Sequence, residues 1–314
     1  MIGCRILSRV LFTGLSSFTG YWFTEKLAEK GHKVVGCLSK NISDYNSEQT
    51  ERLNQSNSNI RIEQNVSFGS ENFLQIISDS KPEVFSFHHA LVTGYKGPSF
   101  DVENAISNNL NNYLEVIKRL TESGCKQIIM TRSIFEKGLG KTDVECDISA
   151  YGQSKRKTFE IFSQAVPKDI KLKSFVICNP VGRFEGNNLT SYLTKCWIEG
   201  KPASLMQPKL VRDFVPIDLL SNSYAQFIDA NEQMIIPSHL PVSNYEYAQK
   251  IGDVTRKLKN IQTPIDTTNE KYDQNEGNVR TGIDKVDFSN RGQEELFWEE
   301  FVTYICDRNT NHDL

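Results

Sequence analysis

The run Arg9-Val10-Leu11-Phe12-Thr13-Gly14-Leu15-Ser16-Ser17-Phe18-Thr19-Gly20 limits what this chain can fold into more than any other stretch. An apolar strand breaks at Gly14 and leads into the amphipathic run Trp22 to Lys30, so the segment reads as strand, tight turn and helix start. Glycine at 14 permits the turn, and small residues at Ser16 and Ser17 let the backbone approach a pyrophosphate. Gly20 lets the helix pack close to the sheet. Phe18 and Thr19 open that helix and belong to the same candidate phosphate contact. An ordinary strand-to-helix turn has the same outline, and the middle position is Ser17 where a glycine would be stronger, so the turn needs support from elsewhere.

Behind it, strands and helices alternate in the manner of a doubly wound parallel sheet. Strands are expected near 8–13, 33–38, 60–65, 83–89, 126–131 and 172–178, and helices near 19–30, 70–79, 101–122 and 149–165. The Asn- and Ser-rich run 41–59 reads as a variable connection. After Asn179-Pro180-Val181-Gly182 the alternation weakens. Residues 1–180 are therefore expected to form the nucleotide-binding domain, with later sheet elements from about 208–240, and 181–314 mainly a smaller, mixed region. Within that region 261–282 reads as a long polar loop and Gln293 to Cys306 as a closing helix.

Composition narrows the function classes. A net charge of −3, with no basic stripe, gives no field for capturing nucleic acid. The seven cysteines (Cys4, Cys37, Cys125, Cys146, Cys178, Cys196, Cys306) have no Cys-x-x-Cys spacing and read as reduced thiols of a cytoplasmic protein. Arg5 and Arg9 interrupt the apolar amino terminus, and no run reaches the roughly 18 apolar residues that span a bilayer. No membrane insertion is expected. Five histidines, two of them the adjacent His88 and His89, assemble no zinc spacing, so no metal is expected.

A second motif lies downstream. In Ala150-Tyr151-Gly152-Gln153-Ser154-Lys155 a Tyr and a Lys four apart share a helix face. An ammonium so placed can depress the phenol's pKa and let it donate a proton near neutral pH. Alone, the same string is more often a solvated helix face.

With both motifs in order, the chain resembles the extended short-chain dehydrogenase/reductase family of nucleotide-sugar epimerases, dehydratases and ketoreductases, over nearly its whole length. The resemblance maps the family's glycine pattern to Gly14, Ser17 and Gly20, its active-site pair to Tyr151 and Lys155, and its Ser/Thr to Ser133, with Thr131 as fallback. It implies an α/β fold, a Rossmann-type sheet with a carboxyl-terminal substrate-binding region. Tyr151 would donate a proton to a substrate carbonyl as hydride arrives from the nicotinamide, Lys155 would hold the nicotinamide ribose and lower the phenol's pKa, and Ser133 would hydrogen-bond the same oxygen.

The segment Val211-Arg212-Asp213-Phe214-Val215-Pro216 is similar to the family's substrate signature, in which Arg212 would grip the nucleotide diphosphate. Further implied cofactor contacts are Asn65, Val66, His89, Asn179 and Val181. Thr93, Tyr95, Asn179 and Arg280 are implied to face the nucleotide sugar. A homodimer through helices 101–122 and 149–165 is also implied. Of Asn108, Asn109, Asn111 and Asn112, none stands out as the counterpart of the family's asparagine.

Cofactor and reaction can be argued from particular positions. The second strand ends in Leu38, Ser39 and Lys40, where an NAD site normally places a carboxylate for the ribose hydroxyls. A hydroxyl and an ammonium suit a 2′-phosphate, so NADP(H) is preferred, with NAD(H) the alternative. The family's sugar 4,6-dehydratases carry Asp-Glu directly after the Ser/Thr. Here Ile134 and Phe135 stand there, so water elimination lacks a proton shuttle. Phe135 also stands where the GDP-fucose-forming members carry a cysteine, which disfavours that branch.

The expectation is NADPH-dependent reduction of a nucleotide-linked 4-keto, 6-deoxy sugar. His88 to Tyr95 shares a faint similarity with the deoxyhexose 4-reductases of surface polysaccharides. The alternative is an NAD-dependent nucleotide-sugar 4-epimerase, and more remotely a catalytically silent dinucleotide-binding regulator. The last has no need of a phenol-ammonium pair.

Overall fold

A computed structural model of the chain describes residues 7–95, 97, 99–268, 270 and 277–311. Cys4 and Arg5 lie outside these. The chain divides into two compact units. One holds the residues up to Leu139, Cys146–Ile177 and Ser221–Ile235; the other holds Gly140–Glu145, Cys178–Leu220 and the residues from Ile236 onward.

The first unit is built on a seven-stranded sheet. Its named strands are β1 (Arg9–Thr13), β2 (Lys33–Cys37), β3 (Ile60–Glu63), β4 (Val84–Phe87) and β5 (Gln127–Ser133). The spatial order is Met234–Ile235, Lys171–Ile177, β5, β4, β1, β2, β3, with every pairing parallel. β1 and β4 are central, and β4 is buried at all four positions, as a strand covered on both faces requires. Helices α1 (Phe18–Glu29), α2 (Ser47–Asn54), α3 (Glu71–Ser80), α4 (Val102–Asn109), α5 (Tyr113–Glu122) and α6 (Ala150–Ala165) connect the strands. Leu11, Phe85, Phe87, Ile128 and Met130 from the strands pack with Phe73, Ile77, Val116 and Phe162 from the helices in one core. Side chains of Ser17, Ser70 and Ser149 cap α1, α3 and α6, each accepting an orphan first-turn N–H.

The doubly wound parallel sheet expected from the sequence is present, with three corrections. The stretch 101–122 is two helices, because Asn112 adopts a left-handed φ of 51° and the buried Asn109 turns its side chain to other work. The connection 41–59 contains α2, capped by Asn46. The third strand stops at Glu63, since Asn65 is also left-handed, with φ of 57°.

The second unit carries a five-stranded mixed sheet. Val211–Pro216 is its hub, antiparallel to Leu240–Ser243 and parallel to both Asn179–Val181 and Val279–Thr281; Lys141–Thr142 lies beyond the last. Strands at Ile265–Asp266 and Val279–Thr281 therefore interrupt the expected long loop 261–282. Helices Leu189–Ile198 and Asn244–Lys259 were not expected, and the closing helix is longer than expected, Arg291–Asn311. Asp213 organises the hub strand. Fully buried, it accepts the N–H groups of His239 (2.9 Å), Leu240 (3.1 Å) and Gly282 (2.9 Å). Among the described residues, no helix is long and apolar enough to cross a membrane.

Candidate active site

The turn after β1 is closed by side chains that double as its geometry. Gly14 sits at φ 78°, and a Cβ there would come within 3.0 Å of the His89 nitrogen. A Cβ at Gly20 would meet the Gly14 carbonyl at 2.3 Å, so no larger residue fits the first turn of α1. Ser17 Oγ donates to the Gly14 carbonyl (2.9 Å) and accepts from the Gly20 N–H (3.0 Å). Ser17 Oγ and Thr19 Oγ1 both lie within hydrogen-bonding distance of His88 Nε2, at 3.0 and 3.1 Å. The first turn of α1 carries no acidic residue, and Ser16 and Phe18 beside it are half-buried. The missing Cβ at Gly20, the capped helix start and the lack of negative charge fit a dinucleotide pyrophosphate at this end of α1.

Behind the turn, β4 is followed directly by two histidines, His88 buried and His89 half-buried. His89 Nδ1 is 3.0 Å from Thr13 Oγ1, and its Nε2 is 3.1 Å from the Asn109 carbonyl. Asn109 Oδ1 in turn accepts the Leu91 N–H at 2.9 Å. Of the four candidate asparagines it is this one, 1% exposed, that joins the end of α4 to the segment after β4. Burial first, with the Lys155 charge adding to it, brings both histidines down to about 3. They are neutral at any working pH.

The triad residues gather where β5 meets α6. Ser133, buried, is the last residue of β5, and its Oγ accepts the Phe135 N–H at 3.3 Å. Tyr151 and Lys155 occupy the first two turns of α6. The Tyr151 ring packs 5.2 Å from that of Tyr95 and 6.3 Å from that of Phe100. Burial brings Lys155 down to about 8, an effect that Glu136 opposes and Arg132 reinforces. The phenol corrects the expectation drawn from spacing: Tyr151 is held well above the ordinary tyrosine value, first by burial and then by the charge of Glu136 and by Tyr95. Sharing a helix face with a lysine does not offset the loss of water.

The cofactor-specificity residues are open to solvent. Ser39 and Lys40 are exposed; Ser39 Oγ is 3.4 Å from the Tyr45 hydroxyl, and Lys40 Nζ lies 5.9 Å from the centre of that ring. Asn65 donates to Asn41 Oδ1 at 2.5 Å and is exposed, whereas Val66 is buried. A residue that sequence reasoning missed stands behind them. Arg52 of α2, 4% exposed, donates from Nε (3.1 Å) and Nη2 (2.6 Å) to the Ser16 carbonyl, which fixes the back of the phosphate turn.

The remaining candidates divide. Thr93 and Tyr95 are exposed in the segment after β4. Asn179, Val181, Arg212 and Arg280 belong to the second unit: Asn179 pairs with Phe214, Val181 with Pro216, and Arg212 with Arg280 across adjacent strands. Arg212 is half-buried, but Arg280 is 1% exposed. Its guanidinium is enclosed within the unit. Among the described residues, no three His, Cys, Asp or Glu side chains are grouped to hold a metal ion.

A parallel seven-stranded sheet with this turn at its first strand defines a dinucleotide-binding α/β protein. The chain belongs to the NAD dependent epimerase/dehydratase family, whose model matches residues 10–235, in line with the resemblance to extended short-chain dehydrogenase/reductases. No curated protein matches by sequence. Among solved structures, the enzyme WbmH of Bordetella bronchiseptica, in complex with NAD+, superposes with a TM-score of 0.70 at 17% identity, covering 97% of this chain and 100% of that one. UDP-glucose 4-epimerase of Thermotoga maritima, with UDP-glucose, gives 0.68 at 17% identity, over 96% of this chain and 99% of that one. UDP-N-acetylglucosamine 4-epimerase of Methanobrevibacter ruminantium, with UDP-N-acetylmuramic acid, gives 0.73 at 14% identity, over 97% and 100%. At such identities the likeness establishes the fold.

Proposed function

We propose that the protein is a nucleotide-sugar 4-epimerase that works on a retained dinucleotide. The observation that carries this reading is the placement of buried Ser133 and Lys155 and half-buried Tyr151 at the end of β5 and the start of α6 in a chain of this family. Support comes also from the similar folds of two 4-epimerases acting on UDP-sugars. These findings favour the epimerase over the simple ketoreductase expected from the sequence.

In this reading Tyr151 Oη takes the proton of the sugar C4 hydroxyl and later returns it, while Ser133 Oγ hydrogen-bonds the same oxygen. A bound nicotinamide supplies the hydride acceptor and, when oxidised, a positive charge. Lys155, with a pKa near 8, keeps an ammonium available near neutral pH to stabilise the phenolate and grip a ribose hydroxyl. His88 and His89, neutral and hydrogen-bonded, add no competing charge. Ile134 is buried and, like Phe135, brings no acid or base for elimination, so the intermediate ketone is reduced again and not dehydrated.

Arg212 is proposed as the diphosphate contact. One specific observation keeps the reductase as the second reading: Ser39 and Lys40 stand exposed where a carboxylate would select NAD.

The test is to release and identify the dinucleotide of the purified protein, and to supply UDP-glucose and UDP-N-acetylglucosamine with nothing added. Bound NAD and conversion at C4 support the epimerase. An empty protein that oxidises NADPH only when given a nucleotide-linked 4-keto sugar overturns it in favour of the reductase.

A further inference from the structure

The turn that follows Ser133 carries a buried ion pair that the chemistry above does not use. Glu136, with its side chain wholly enclosed, receives Nε and Nη2 of Arg132 at 2.8 and 2.7 Å on one oxygen, and the Ser133 N–H at 2.8 Å on the other. The Glu136 N–H closes the loop on the Ser133 carbonyl at 3.0 Å. Arg132 lies over the ring of Phe159, 4.0 Å from its centre, one helical turn beyond Lys155. At the other end of this contact, Gly152 packs so tightly on the turn that a Cβ there would sit 2.2 Å from the Phe135 carbonyl. The Ser133 turn and the helix bearing Tyr151 and Lys155 are thus held together at two points.

A buried ion pair is a weak source of stability, since apolar residues of the same volume do as well or better. We propose that Glu136 and Arg132 are a positioning pair. The carboxylate fixes the backbone of Ser133, and Arg132 ties that turn to α6. Five residues contribute the titratable groups facing that chemistry: Glu136 and Arg132 from β5 and its turn, Tyr95 from the segment after β4, and His88 and His89 at the end of β4. Both histidines are neutral, so Glu136 is the negative charge of the group. It raises Tyr151 and Lys155 alike, and its removal lowers both.

This inference rests on the epimerase reading for the atoms being positioned, so the test includes a readout that needs no substrate. In Glu136→Gln, which keeps the shape and one acceptor oxygen for either the Ser133 N–H or Arg132 but removes the charge, the Tyr151 phenol is titrated by ultraviolet difference against the Tyr151→Phe protein. Its midpoint is expected to move to lower pH, and the pH profile of kcat to move with it. In Arg132→Met/Glu136→Leu, which leaves no unpaired charge, kcat is expected to fall about 10²-fold with KM and bound dinucleotide unchanged, as misplacement of a reacting group predicts. Amide exchange at Ser133 should quicken at the same time.

An unmoved phenol titration in Glu136→Gln, or wild-type kcat and Ser133 protection in the double variant, would overturn the proposal. If the wild-type protein turns over no nucleotide sugar, the functional reading fails on its own, while phenol titration and Ser133 exchange still decide the positioning role.

Discussion

The two units bury charge for opposite ends. In the second, Asp213 is fully enclosed and accepts three backbone N–H groups, two from one neighbouring segment and one from another. It is absorbed by its own scaffold. In the first, Lys155, Glu136, Arg132, His88 and His89 bear on one another, and burial first, with that mutual action beside it, brings a lysine down to about 8 and two histidines to about 3. Burial of a charge does not itself mark a reactive site. What separates the two cases is how many backbone donors hold the charge and which neighbour it acts on: Asp213 accepts three and bears on the Cys178 thiol, whereas Glu136 accepts one and bears on both Tyr151 and Lys155.

That contrast breaks if the two kinds of residue fail alike. The largest expected effect is at Tyr151: the Phe variant should lose 10²- to 10⁴-fold, on the order of a general acid-base contribution, in kcat. Its melting temperature and dinucleotide content should be unchanged, as read by thermal unfolding and by quantifying released cofactor. Asp213→Ala should show the reverse pattern. With one buried and two half-buried donors left without an acceptor, it should cost about 3 kcal/mol in denaturant unfolding, and any loss of rate should follow the loss of folded protein.

A pH series sharpens the comparison. The folded pKa values of His88 and His89, about 3, lie below the ordinary histidine value of about 6.5. The unfolded chain therefore binds more protons between those values. Their contribution to stability is complete above about 6.5 and is lost as the pH falls toward 3. Denaturation midpoints should drop across that window, and less steeply in His88→Gln. The smallest effect is expected at Ser17: replacing the α1 cap by Ala should cost about 1 kcal/mol and weaken dinucleotide retention, since the same hydroxyl closes the turn on Gly14.

Much of the first unit was legible because its constraints are local. A glycine with positive φ at 14, a missing Cβ at 20 and an alternating sheet leave direct traces in the sequence. The Tyr151 and Lys155 spacing is equally local, but the direction of the phenol's shift was not, because it depends on enclosure and on Glu136 across the β5 turn. Asn109 could not be separated from its three neighbours by pattern. Only the fold shows which one meets His89 and Leu91. Arg52 was hidden because a polar run without apolar periodicity concealed α2.

In the second unit the helix Asn244–Lys259 did leave a signal. Ser243 and Glu246 form a capping box, and the buried Tyr247, Ala248, Ile251 and Thr255 follow helical spacing. Its short strands left none, for two or three residues are too few to show a period.

The most direct test of the account is rapid mixing of the dinucleotide-loaded protein with UDP-glucose or UDP-N-acetylglucosamine, following the absorbance of reduced nicotinamide in the wild type and in Tyr151→Phe. A transient rise is expected in the wild type and none in the variant at equal cofactor content. Equal amplitude and rate in both proteins would contradict it, because the proton at C4 would then leave without Tyr151.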